Sequence, residues 1–256
     1  LSGTSRLSNP TRTGLLLAAL ILLGWLITLV SLLSVDLARL PALVIVIAVA
    51  VRALLQTGLF IVGHDAMHRV LLPERVRWND RLGALVLALY AALPYRDCRR
   101  NHQYHHRFQA TAKDPDFHGD PRSGALGWYL HFMGGYLTAW QMARLLGSWA
   151  LLALVACQLS ATGWLNVLLF CTLPLLLSSV QLFVFGTYLP HRGQRAPFYR
   201  PKSDSLDLPP WLSLLACFHF GYHREHHDSP VLAWFQLPAE RRRSREAQGA
   251  APLTLA

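Results

Sequence analysis

Leu15 to Val35 is a run of 21 residues without an ionisable side chain. At about 1.5 Å per helical residue, that is enough to cross a hydrocarbon core of about 30 Å. It is too long for a signal-peptide core of about 7–15 apolar residues, so it reads as a first membrane span. A short break containing Asp36, Arg39 and Pro41 leads to a second span over 42–63, interrupted only by Arg52 and Gln56. Two further apolar runs, 141–159 and 164–189, are separated by the uncharged link Ser160-Ala161-Thr162-Gly163. The expected fold is an all-α integral membrane protein, a single membrane domain over 1–256 with four transmembrane helices in two hairpins. Pro174 is tolerable within such a span. The 12 apolar residues of 82–93 are short for a crossing and read as interfacial or re-entrant. Arg52 has no obvious charged partner on the other spans; an intramembrane charge can mark a function, but snorkelling toward the far interface explains it at least as well, and no role is assigned to it.

The chain is 53% apolar and 15% charged, with a formal charge of +10. A basic chain invites a nucleic-acid reading, but the position of the charge excludes it. Of 24 Lys and Arg residues, Arg39 alone lies in a hairpin tip and Arg52 alone deep in a span. The others gather on one side, which by the positive-inside rule is the cytoplasm, together with both termini. Cys98, Cys157, Cys171 and Cys217 form no C-x-x-C pair and read as structural thiols.

None of the 12 histidines occurs before position 64, and nine fall at cytoplasmic span ends or in cytoplasmic segments. His64 and His68 (H-D-A-M-H) close the second span. His102, His105 and His106 (H-Q-Y-H-H) follow, then His191 after the fourth span, then His223, His226 and His227 (H-R-E-H-H). On a helix, i, i+3 and i, i+4 neighbours share a face, so each cluster presents its imidazoles in one direction. Neutral imidazole binds iron, zinc and copper, and nine ligands exceed one tetrahedral zinc site, which favours two metals. Asp65 stands where H-E-x-x-H zinc proteases need a glutamate, so that class is excluded. His118, His131 and His219 read as polar interface anchors. Asp65, Asp114 and Asp116 are the candidates to orient ligating imidazoles, with Glu225 a fourth that could equally pair with Arg224.

This two-, three- and three-histidine series resembles the membrane fatty-acid-desaturase and hydroxylase superfamily of non-haem di-iron, oxygen-activating enzymes. Within it, G-L-F-I-V-G-H-D-A-M-H (58–68), D-P-D-F (114–117), Q-L-F-V-F-G-T-Y-L-P-H-R (181–192) and C-F-H-F-G-Y-H-R-E-H-H (217–227) are similar to the bacterial β-carotene ketolase branch. The later P-x-x-x-W-x-x-L-P of 230–238 fits as well, whereas Arg69 stands where that branch would lead one to expect glycine. The resemblance implies a cytoplasmic histidine-rich di-iron cap, with His191 joining the three boxes as a ligand.

The activity it implies is oxidation of the C4 ring methylene of β-carotene. Two successive hydroxylations would give a geminal diol, which loses water to leave a ketone. Molecular oxygen is the co-substrate and a separate ferredoxin-like protein the electron donor, drawn with anionic membrane lipids to the basic face. An unactivated allylic C–H bond needs an oxidant that side chains alone cannot supply, which fits two iron ions. The substrate is dissolved in the bilayer, so an apolar channel is expected, with Phe183, Phe185, Tyr188, Phe218 and Phe220 as candidate liners. A carotenoid hydroxylase or fatty-acyl desaturase would use the same boxes. A membrane metal carrier would place its ligands near the midplane rather than at one face.

Overall fold

The computed structural model describes residues 7–109, 111–117, 124–192 and 203–250, and the described residues are helical with no strand. Four helices are long and apolar enough to cross a membrane: α1 (Asn9–Leu33), α2 (Ala42–Met67), α6 (Ala139–Leu159) and α7 (Gly163–His191). Between them stand α3 (Val76–Ala91), α4 (Tyr95–Phe108) and α5 (Ala125–Tyr136). After α7 come α8 (Pro210–Cys217), α9 (His223–Asp228) and α10 (Leu237–Ala250).

Helix α1 begins at Asn9 rather than Leu15 because Ser8 caps it, its hydroxyl accepting the Thr11 N–H at 3.3 Å. Helix α2 is the centre of the bundle and packs against α1, α3 and α7. Where α3 crosses α2, Gly83 leaves no room for a Cβ beside Tyr95 and Ala66, so only glycine lets the two backbones approach so closely. The 34–41 and 160–162 links lie side by side at one end. The Leu37 N–H donates to Thr162 Oγ1 at 3.2 Å, and Asn166 Nδ2 donates to the Leu33 and Val35 carbonyls at 3.1 and 2.7 Å.

Interior polar contacts place Arg52 and the end of the 82–93 stretch within the bundle. Arg52 does not snorkel: it is 1% exposed, with Nε donating to the Phe170 carbonyl at 2.9 Å and Nη1 to the Trp25 carbonyl at 2.7 Å. Its guanidinium also lies over the Trp25 ring, 5.0 Å from the centroid. The stretch 82–93 is the second half of α3 and its exit turn. Ala92 adopts a left-handed φ of 55°, and its N–H bonds to the Ala88 carbonyl at 2.9 Å. The α3 carbonyls left open at that end, of Tyr90, Ala91 and Ala92, accept from Gln56 of α2 and from Gln141 and Arg144 of α6. That end is therefore locked into the bundle by side chains of two long apolar helices.

Candidate metal centre and its cavity

The C-terminal end of α2, the C-terminal half of α4, the last residue of α7 and all of α9 converge at the end of the bundle remote from the two links. The nine histidines meet there in two groups. In one, His64, His68, His102 and His226 offer ring nitrogens within 4.8 Å of one another; in the other, His105, His191, His223 and His227 do the same. His106 joins the first, with Nε2 3.1 Å from His102 Nε2 and 3.0 Å from His226 Nε2. Helical spacing explains the partition: α4 sends His102 and His106, one turn apart, to the first group and His105 to the second. Helix α9 does the reverse, sending His223 and His227 to the second and His226 to the first.

The donor chemistry fits metal ions better than hydrogen bonding. In the second group the Nε2 contacts form a chain: His191 to His223 at 2.9 Å, His223 to His227 at 2.9 Å, and His227 to His105 at 3.1 Å. A ring nitrogen carries at most one hydrogen, and two that carry hydrogens cannot bond to each other. Four nitrogens in a chain therefore supply at most two hydrogens for three contacts. Converging lone pairs of this kind suit a metal ion. In the first group, both ring nitrogens of His64 are buried without a hydrogen-bond partner. Burial above all, with neighbouring imidazoles adding to it, drives His102, His223, His226 and His227 well below the ordinary histidine range. Burial pulls His68 down to about 4 and His106 to about 2. Neutral rings keep a lone pair free for a metal.

His105 differs. Burial lowers its affinity for a proton, but the hydrogen bond to Asp114 and the charges of Asp116 and Asp114 outweigh that and raise it. Asp114 Oδ1 stands 2.9 Å from His105 Nδ1 and also accepts the Asp116 N–H at 2.9 Å. Asp116 is 3.9 Å from the same Nδ1 and accepts the Tyr136 hydroxyl hydrogen at 3.2 Å. Asp65 makes no imidazole hydrogen bond: its Oδ1 is 3.8 Å from His64 Nδ1, and its Oδ2 takes the Trp234 N–H at 3.4 Å. Glu225 points away from the histidines to Arg241, 3.0 Å away, while Arg224 pairs with Asp204 at 2.8 Å.

A cavity of about 370 Å³ reaches the centre, and its inner end touches His64 and His102 of one group and His105 and His223 of the other. Its walls are otherwise mostly apolar, and Leu130, Leu137 and Leu176 at its edge are exposed on the outside of the bundle. Of the five expected aromatic liners only Phe220 borders it. Phe183 and Tyr188 pack against Trp128 instead, at ring-centroid distances of 6.3 and 5.5 Å, and Phe218 packs against Trp234 at 5.2 Å. Phe185 packs on the core. Gly186 and Thr187 border the cavity instead, one turn beyond Leu182, which also lines it, and residues 183–188 form a wider π-type turn.

Residues 38–255 match the fatty acid desaturase family. The chain belongs to that family. It is 40% identical over 240 residues to "Beta-carotene ketolase" of Paracoccus sp. (strain N81106 / MBIC 01143), covering 91% of this chain and 94% of that one. It is 40% identical over 201 residues to "Beta-carotene ketolase" of Haematococcus lacustris, covering 74% and 60%. A "Zeaxanthin 4-ketolase" of Chlamydomonas reinhardtii is 37% identical over 200 residues, covering 75% and 43%.

Beside the nine histidines lie residues that motif reading passed over. Tyr136 and Trp128 of α5 fix Asp116, the latter by donating Nε1–H to the Asp116 carbonyl at 2.9 Å. Nothing in the apolar sequence of α5 marks them. His219 is buried and stacks between Tyr222 and Trp234, outside both groups, in place of the expected interface anchor. His131 is exposed on α5. His118 lies outside the described residues.

Proposed function

We propose that this desaturase-family chain is an O2-dependent β-carotene ketolase. The observation that carries the reading is the apolar cavity ending on members of both histidine groups, in a chain whose relatives named as β-carotene ketolases align along almost its whole length. The chain is an oxidoreductase of four spans in two hairpins, and the nine histidines with their helices form a cap on the cytoplasmic side. His64, His68, His102, His106 and His226 would hold one iron, and His105, His191, His223 and His227 the other. Two irons bound there would supply the electron transfer that activates O2 toward a C–H bond that side chains alone cannot oxidise.

The chain's own residues bind and orient. The cavity admits a β-ionone ring from the lipid past Leu130, Leu137 and Leu176, and excludes water from the reacting carbon. Asp114 accepts the His105 Nδ1–H and so aims Nε2 at the second group. Asp116, held by Tyr136, closes the polar end. In each round one oxygen atom of O2 enters the C4 position; the other leaves as water, with two electrons delivered one at a time by a ferredoxin-like donor and two protons taken from the solvent. The geminal diol formed in the second round loses water to give the ketone. Basic side chains of the same face serve the acidic donor and anionic lipid headgroups.

Expression in cells that accumulate β-carotene tests the reading: chromatography of the pigments should show the mono- and diketone, with red-shifted absorption. Unchanged β-carotene with the protein present in the membrane overturns it, and new unsaturated lipids in its place would favour a desaturase. His191→Ala should abolish ketone formation with the protein still inserted.

A further inference from the structure

Helix α9 has six residues, far fewer than the roughly 12–15 at which an isolated helix becomes even marginal. Yet it carries His223, His226 and His227, which enter both histidine groups. Its stability must come from outside. The face turned away from the histidines bears Glu225, 1% exposed, and a carboxylate so buried is costly without a countercharge.

Arg241 of α10 provides that charge, with Nη1 3.0 Å from Glu225 Oε1. The other carboxylate oxygen takes the Ser205 hydroxyl hydrogen, and Ser205 Oγ accepts the Arg224 N–H at 3.1 Å, at the first turn of α9. One turn further along α10, Arg245 pairs with Asp207. Arg241 and Arg245 are i, i+4 neighbours, so one face of α10 grips both α9 and the 203–208 segment beneath it. The segment leading into α10 is anchored independently: the Trp234 N–H donates to Asp65, between the two ligands of the first box, and Phe235 lies against α1 at Gly14.

We propose that Arg241 is a positioning residue for the histidine centre, acting through Glu225 to hold α9 and thereby ligands of both groups in register. The arginine-rich C-terminal helix is then a brace for the site as well as part of the basic surface. The inference rests on the metal reading above.

The test uses the full-length protein purified in detergent from iron-replete cells, with iron content and the rate of iron release to a chelator as readouts. Arg241→Met should release iron about tenfold faster than the unaltered protein, the lower end of the loss expected when support behind a metal ligand is removed. Arg241→Lys, which keeps the charge, should stay near the unaltered rate. So should Arg245→Met, which breaks the neighbouring pair on the same face but leaves Glu225 alone. If Arg241→Met fails to accumulate because Glu225 is stranded, the neutralised pair Glu225→Gln/Arg241→Met should show the same tenfold acceleration. Release from Arg241→Met, or from the double variant in its place, at the unaltered rate overturns the proposal. Equal acceleration in Arg245→Met also does, because docking of α10 would then be the whole effect. An unaltered protein that binds no iron overturns the metal reading itself, a distinct outcome.

Discussion

Arg69 follows the first histidine box with φ 61°, a left-handed conformation that costs a side-chain-bearing residue about 1–2 kcal/mol. This gives the glycine expected there from the family resemblance a physical reason. The Arg69–Asp80 contact, 3.6 Å with side chains 43% and 32% exposed, is a surface pair of small value. Arg69→Gly should therefore raise stability by about 1 kcal/mol, read as a higher thermal midpoint in detergent; a lower midpoint would mean the Asp80 pair outweighs the strain. Asp114 is the opposite case, a side chain whose loss harms the site. Asp114→Asn keeps the shape but removes the charge behind His105 and should weaken iron binding about 10–100-fold with the fold retained. Asp65→Asn should have a smaller effect, because Asp65 bonds to the Trp234 backbone and to no imidazole. At this scale the histidines were legible, since helical spacing alone put each cluster on one face. The sorting of four carboxylates was not. Whether an acid meets an imidazole, an arginine or a backbone N–H depends on helices that approach it from elsewhere in the chain.

At the scale of elements, long apolar runs announce helices, but not what holds them together inside. Pro174 has no N–H to return to the turn before it, where residues 168–172 form a π-type turn, and Arg52 of α2 donates to the Phe170 carbonyl of that turn at 2.9 Å. A charge that looked unpaired is thus the partner of a backbone group in the turn before a proline of another helix. No local pattern could show this, because the two positions are far apart in sequence. Removing the guanidinium strands both the Phe170 and Trp25 contacts, each a hydrogen bond to a charged group worth about 1.5–3 kcal/mol. Arg52→Met should cost about 3 kcal/mol, and in Arg52→Met/Pro174→Ala the cost should shrink, since alanine restores the N–H. Strictly additive losses, measured by unfolding in detergent, would disconnect the two residues. The same limit explains the misplaced aromatic liners. Phe183 and Tyr188 are five apart, so on the π-type turn over 183–188 they stack on one face against Trp128, while Gly186 and Thr187, one turn beyond Leu182 and Phe183, border the cavity.

For the whole molecule, the charge distribution and the histidine centre bear on one question, which face of the membrane the centre occupies. The two links, 34–41 and 160–162, meet at one end of the bundle, and the histidines with α10 lie at the other. Arg39 is the one basic residue of the links, while α10 alone carries Arg241, Arg242, Arg243 and Arg245. By the positive-inside rule the links are expected outside and the centre in the cytoplasm, within reach of a soluble electron donor. Ala161 in the second link and Glu246 on α10 are both exposed, so each can carry a reporter thiol once the four native cysteines, of which Cys157 is exposed, are replaced. On intact spheroplasts a membrane-impermeant maleimide should label Ala161→Cys and leave Glu246→Cys untouched until the cells are lysed. The reverse pattern would invert the orientation and place the centre away from any cytoplasmic donor. Labelling of both sites before lysis would mean that the two ends are not separated by a bilayer, and the four-span arrangement would fail with it.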